Sequence, residues 1–376
     1  MTDGYSADVS EVRLVHGAES VGVSSSSVQA WVTLQGAQVA PVTFTQGDRQ
    51  VQPYVLAPWL PGEIADIPPL LDLLRGDFFC LPFGAQPDGP LHGDPASSRW
   101  QVVEHRSDAV RLAIDTSDTG ARVEKLVKVV DGQTVLYQTF TITGLAGAFS
   151  YGTHPVIDFS QLAIGAGRLG FSPMRFQSVY PGTFSDPALG EHQILTEGAR
   201  FDDLAAVPLA AGGALDLTHY PTPSGHEDLV MLVNDPAAGP IGWAAATLDG
   251  CVWFSLKNIC DFPATILWIS NGGRSQPPWS SRFIGRMGIE DVCSYFAAGL
   301  LDSRADLLAA EGIPTTRAFR ADQPVSITSI QGIAFTESDF GRVVAIDFDV
   351  PGQITLHDEG GRAVTTLVHW ESLLQP

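Results

Sequence analysis

Glycine and proline punctuate this chain so densely that long regular elements have little room to form. The 38 glycines and 26 prolines are spread along the whole sequence. Between them lie short runs rich in Val, Ile, Thr, Phe and Trp, and such runs bounded by turn formers read as strands. The pattern predicts strands at Val28–Leu34, Gln50–Leu56, Trp100–Glu104, Ala109–Ile114, Leu229–Val233, Ile241–Ala246, Cys251–Leu256 and Thr265–Ile269. It resumes after Ala321 with Val325–Ile330, Val343–Phe348, Ile354–His357 and Ala363–Trp370. The clearest hairpin runs from Val123 to Thr143, its arms meeting at Asp131-Gly132, a dipeptide suited to a type I′ turn. In its second arm Leu136, Phe140 and Ile142 share a face, with Gln138 the polar exception.

Helix signals are few. Asp302–Ala310 is the best, closed by Gly312 and Pro314, and Asp66–Leu74 suits a second short one. Half-buried strands in this number need a second sheet to cover their apolar faces. The expected fold is therefore all-β: a large antiparallel β-sandwich with one or two short helices, the helix mainly between residues 295 and 311. With no low-complexity linker and no fixed-period repeat, residues 1–376 read as one domain. Residues from about 338 to 376 form a C-terminal β extension, a candidate surface for a homodimer.

Charge narrows the partners. Acidic residues number 42 against 21 basic ones, a net charge of −21, so no basic excess exists to neutralise nucleic acid or an anionic membrane. No apolar run reaches the ~18 residues of a membrane span. The four cysteines form no Cys-x-x-Cys pair and read as buried small hydrophobes. Met1-Thr2-Asp3-Gly4 lacks the basic start and apolar stretch of a signal peptide, so a cytoplasmic protein is expected.

Several familiar motifs fail. Gly165-Ala166-Gly167-Arg168-Leu169-Gly170 has dinucleotide-binding spacing, but Phe171-Ser172-Pro173-Met174 is not the helix start that motif requires, so a glycine-rich loop is expected. His226-Glu227 lacks a second His, and the nine histidines show no i, i+4 pair, so no metal site is expected.

Three segments survive. The first is Gly76-Asp77-Phe78-Phe79-Cys80-Leu81-Pro82-Phe83-Gly84, leading to His92-Gly93 and Trp100. The second is Gly152-Thr153-His154-Pro155. The third is Ile266-Leu267-Trp268-Ile269, followed by Gly288-Ile289-Glu290-Asp291. In order and spacing they resemble the aldose 1-epimerase, or galactose mutarotase-like, superfamily. That group shows Pro-x-x-Gly, then His-Gly with Trp eight residues after the His, a second His after a long hairpin, and a near-terminal Ile-Glu segment. Trp31-Val32-Thr33-Leu34-Gln35-Gly36-Ala37 is similar to the family's first hairpin, and the resemblance covers roughly residues 10 to 335.

The resemblance implies a β-sandwich fold and interconversion of sugar anomers. Opening a hemiacetal needs a base for the anomeric hydroxyl proton and an acid for the ring oxygen, a task two side chains perform without metal or cofactor. It implies Glu290 as base and His154 as acid, with His92 bonding a hydroxyl or assisting the acid. Trp268 or Trp279 would stack on the sugar's apolar face, while Trp100 reads as core. The two catalytic groups are expected on opposite sides of a cleft, with a pyranose ring between them.

Two positions depart from the family. Asp291 stands where Pro is usual, and Ala96 where sugar-6-phosphate mutarotases carry Arg. Arg274, Arg282 and Arg286 form a local basic cluster suited to a carboxylate or phosphate, and the substrate-binding Asp has only Asp202, Asp203 and Asp261 as candidates. The expected partner is thus a small-molecule sugar, neutral or acidic. The alternatives are a non-catalytic sugar-binding protein of the same fold, or a carbohydrate lyase or hydrolase relative.

Overall fold

The computed structural model describes residues 11–375; Met1–Gly4, and the leader reading made on them, lie outside these. Two large antiparallel sheets stack face to face. The nine-stranded sheet runs, in spatial order, His219–Tyr220, Gly167–Phe171, Ile241–Leu248, Cys251–Asn258, Val325–Phe335, Val135–Thr143, Arg122–Val129, Ala109–Asp115 and Gln101–Arg106. The eight-stranded sheet is centred on His226–Asn234, Ala264–Asn271 and Arg286–Cys293, flanked by Met174–Val179 on one side and Tyr151–Thr153 on the other. A five-stranded meander, from Arg13–Val15 to Arg49–Val51, packs into the same core.

Alternation along each strand sorts side chains into layers. Val230, Leu232, Leu267, Ile269, Met287 and Ile289 meet Leu136, Phe140, Ile142 and Trp253 between the two sheets. The other face of the eight-stranded sheet is apolar too: Leu229, Met231, Val233, Ile266 and Val292 pack under Trp59, Phe78, Trp279 and Phe283. The outer face of the nine-stranded sheet is closed by the C-terminal strands Val343–Asp347, Gln353–Asp358 and Ala363–Leu367, whose Ile354 and Leu356 meet Trp243, Phe254 and Ile330. Where both faces are covered, as at Cys251–Asn258, Ala264–Asn271 and Arg286–Cys293, the strands are buried almost throughout, whereas Arg122–Val129 and Val135–Thr143 alternate because their outer face is partly open.

Several expectations are corrected. The predicted helix at Asp302–Ala310 is an α turn, Leu300–Arg304, and a 3₁₀ turn, Ala309–Glu311, with Asp306 at φ 52° between them. Asp66–Leu74 shortens to Pro69–Leu73, and Gly93–Ser97 is a helix not predicted. The glycine-rich segment at 165–170 is strand from Gly167 on, paired with Ile241–Leu248 and His219–Tyr220, and Gly170 lies so close to Val343 O that a Cβ would overlap it. At the Asp131-Gly132 turn only Gly132 takes positive φ, 76°, so it is not type I′. No helix of the described residues is long and apolar enough to cross a membrane.

Candidate active site

Strand parity sets the site. Along Arg286–Cys293, Met287, Ile289 and Cys293 point into the inter-sheet core. Glu290 therefore shares the opposite face with Val292, among the aromatic residues that cover this sheet. His154 sits in the gap between Tyr151–Thr153 and Val156–Asp158, both of which pair with the Glu290 strand. Gly152 registers on Val292 and Val156 on Gly288, so His154 comes level with Glu290. His154 Nε2 lies 3.2 Å from Glu290 Oε1, with the side chains 7% and 1% exposed.

The His154 backbone is fixed from below. Asp77 Oδ1 accepts its N–H at 2.9 Å, while Oδ2 accepts Gln138 Nε2 at 2.5 Å and Gln331 Nε2 at 2.7 Å. This explains Gln138 on an apolar face: it is a buried partner of Asp77. The His154 ring stacks on Phe78 at 4.5 Å between centroids and meets His92 edge-on at 5.0 Å.

His92 belongs to a clasp. Its N–H donates to Gly84 O at 2.9 Å, and Gly84 N–H donates to His92 Nδ1 at 3.1 Å. A Cβ on Gly93 would overlap Leu81 O, and one on Gly84 would lie 2.5 Å from Ala297 O, so both glycines are needed for close approach. Because Nδ1 accepts, the ring hydrogen is on Nε2, and His92 offers a donor rather than a base. Burial pushes its pKa down to about 3.

Burial acts on His154 and Glu290 in the same sense, disfavouring charge on either. It holds Glu290 well above the usual carboxylate range and His154 well below the usual imidazole range.

His92, His154 and Glu290 line one cavity of about 250 Å³, together with Phe78, Phe184, Leu229, Trp268, Trp279 and Arg274. The three predicted catalytic residues are thus brought together. They stand side by side on one wall, however, and not across a cleft with room for a ring between. Two oxygens on one anomeric carbon would be close enough neighbours for adjacent groups to reach both.

The basic cluster divides. Arg274 lines the cavity, its Nε 3.4 Å from Glu191 Oε1 and 4.0 Å from Glu227 Oε2. Arg282 pairs at 3.2 Å with Glu63 on the exterior, and Arg286 at 2.6 Å with Asp158; neither lines the cavity. Of the Asp candidates, Asp261 pairs with Arg317 at 2.6 Å and Asp203 caps a 3₁₀ turn, and none of the three lines the cavity. Trp100 is core, donating to Pro95 O at 2.8 Å.

The carboxylate that sequence reading missed is Glu227. It alternates onto the same face as Leu229, accepts Ser270 Oγ at 2.9 Å, and stands behind Arg274. Burial raises its pKa to about 7 against the pull of Arg274. Five buried polar atoms in or just behind the cavity wall have no hydrogen-bonding protein partner: His154 Nδ1, Glu290 Oε1, Trp268 Nε1, Arg274 Nε and Glu227 Oε2. Buried polar atoms are normally paired, and these five gather at one cavity. Among the described residues, no three His, Cys, Asp or Glu side chains cluster as metal ligands.

No family model matches the sequence, and no curated protein does. The fold aligns with several solved structures. A galactose mutarotase related enzyme from Lactobacillus acidophilus is 12% identical at a TM-score of 0.54, covering 85% of this chain and 98% of that one. A galactose mutarotase-like protein from Lactobacillus casei ATCC 334 is 14% identical at 0.55, covering 84% and 99%. An Escherichia coli K12 protein provisionally named an aldose 1-epimerase is 14% identical at 0.57, covering 84% and 99%.

Proposed function

We propose that this chain, which has the galactose mutarotase-like fold, binds a cyclic aldose in the cavity and interconverts its anomers. The observation that carries the reading is the buried pair His154 and Glu290, 3.2 Å apart at the cavity wall. The pair acts by passing one proton each way. Glu290 takes the proton of the anomeric hydroxyl as His154 gives one to the ring oxygen. The bond from the anomeric carbon to the ring oxygen breaks, and that carbon becomes an aldehyde. Rotation about the adjacent carbon–carbon bond and reclosure from the other face, with both transfers reversed, give the second anomer. Burial favours the form of the pair with its proton on Glu290, so that proton passes first to His154 Nε2, 3.2 Å away, to give the reacting carboxylate and imidazolium; the singly protonated pair is then reset by each cycle.

His92 supports the reading by offering Nε2–H to a sugar oxygen. Trp268 and Trp279 supply apolar ring faces at the cavity. The unusual Asp291 does not favour the non-catalytic alternative. Its side chain points to the opposite face from Glu290, where it pairs with Lys257 Nζ at 2.8 Å. Four unpaired cysteines, Cys260 exposed among them, suit a reducing cytoplasm.

Polarimetry on freshly dissolved α-glucose and α-galactose, corrected for spontaneous mutarotation, tests the proposal. Wild type is expected to accelerate the change. Glu290→Gln and His154→Ala are each expected to lower saturating turnover by roughly 10²- to 10⁴-fold while keeping the fold. Sugar binding without any acceleration would support the binding-protein alternative instead.

A further inference from the structure

Behind the aromatic wall lies an arrangement that proton transfer does not use. Arg274 is the only Arg or Lys lining the cavity among the described residues. Its guanidinium carbon lies 5.1 Å from the Trp279 ring centre, 5.2 Å from Phe184 and 5.9 Å from Trp268. Three backbone segments hold it there. His192 N–H donates to Gly273 O at 3.0 Å, Glu227 N–H to His192 O at 2.7 Å, and Ser275 N–H to Gly190 O at 3.3 Å. Gly273 packs so tightly on the start of the Glu227 strand that a Cβ would overlap the His226 carbonyl carbon. Glu191 and Glu227 thereby flank Arg274 at 3.4 and 4.0 Å.

Much of the charge of the single guanidinium is met by Glu191, by the ionised fraction of Glu227, whose pKa is about 7, and by three ring faces. A phosphate or carboxylate entering the cavity would gain little from Arg274 and would further disfavour ionisation of Glu290. A neutral hydroxyl meets no such opposition and can still accept from the remaining guanidinium N–H groups.

We propose that Glu191 and Glu227 set the charge selectivity of the cavity: they offset the charge of Arg274, so that the site takes a neutral aldose and rejects sugar phosphates and uronates. The inference rests on the sugar-site reading above. It reverses the anionic ligand that a bare arginine cluster suggests.

Calorimetric titration of the full chain with glucose, galactose, their 6-phosphates and their uronates tests it. Wild type is expected to bind a neutral hexose at least about tenfold more tightly than its acidic counterparts. Glu191→Gln/Glu227→Gln is expected to shift that ratio toward the acidic sugars by about tenfold or more. Should the double variant lose its circular dichroism signature, Glu191→Gln alone, at the partly exposed rim, gives the same comparison with a smaller shift. Preference of wild type for the phosphate or uronate overturns the inference while leaving a sugar site in place. So does an unchanged ratio in a folded variant. Absence of binding by every sugar, neutral or acidic, overturns the sugar-site reading and the inference together.

Discussion

Gly288 and Glu290 lie two residues apart on one face of a strand, and a Cβ on Gly288 would overlap Glu290 Oε1. The missing side chain is the space into which the carboxylate folds. Gly288→Ala should therefore displace the Glu290 carboxylate while leaving the backbone, which needs no positive φ there, in place. A misplacement of about 1 Å at a catalytic group can lower turnover by about 10²-fold. Polarimetric turnover should fall to that extent, with the circular dichroism spectrum unchanged. Wild-type turnover in a folded Gly288→Ala protein would mean that Glu290 is not poised by this contact.

The pH profile follows from how burial treats the pair. Below the acid limb both groups carry protons, and His154 resists that charge, so the limb moves below the ordinary imidazole value of about 6.5. Above the basic limb both are deprotonated, and Glu290 resists that charge, so this limb moves well above the ordinary carboxylate value of about 4.5. The two limbs belong to the pair as a unit. kcat/KM for a neutral aldose should show no acid-side fall at the ordinary imidazole value of about 6.5. A clear inflection there would indicate a solvated histidine and contradict the buried geometry.

How much of this was legible in the sequence depends on what each residue's neighbours reveal. His92 and Glu290 were readable because they stand in His-Gly and Gly-Ile-Glu segments that resemble the family's, and the structure shows Gly93 and Gly288 each making room for a close approach. Glu227 was hidden. Its strand, His226–Asn234, is buried at all nine positions, so no alternation of polar and apolar residues tells which face meets the cavity. Arg282 and Arg286 looked like partners of Arg274 because they are near in sequence. The intervening loop turns Arg282 out to Glu63, and Asp158 captures Arg286. The helices were misjudged because each α-helix has only five residues, too few for a 3.6-residue period to show.

His92 should leave a signature in stability against pH. Its folded-state pKa, about 3, lies below its ordinary value of 6.5. A depressed value means that its contribution to stability is fully present above about 6.5 and is lost as pH falls toward about 3. His92→Gln removes the titration. The wild-type melting temperature should therefore fall more steeply than that of the variant over this acid window, and the two curves should run parallel above it. Parallel curves throughout would mean that His92 takes up its proton in the folded state as readily as in water.

Asp291 and Lys257 allow stability to be separated from chemistry. Lys257 Nζ lies 2.8 Å from Asp291 Oδ1 and donates to Ala264 O at 2.7 Å and to Thr265 Oγ1 at 2.6 Å. Ser255 Oγ donates to Asp291 Oδ2 at 2.6 Å. Both charges are enclosed between the sheets, so removing one strands the other in a low-dielectric core. Lys257→Met should cost about 3–5 kcal/mol in a urea titration. Asp291→Leu leaves the ammonium unpaired and should cost a similar amount. The double variant Lys257→Met/Asp291→Leu leaves neither charge unpaired, so its loss should fall well short of the sum of the two. Because Asp291 faces away from the cavity, folded double variant should retain anomer turnover within about tenfold of wild type. Additive losses would show that the two charges do not depend on each other. A complete loss of turnover in a folded double variant would show that the inner face of this strand governs the position of Glu290 on the outer one.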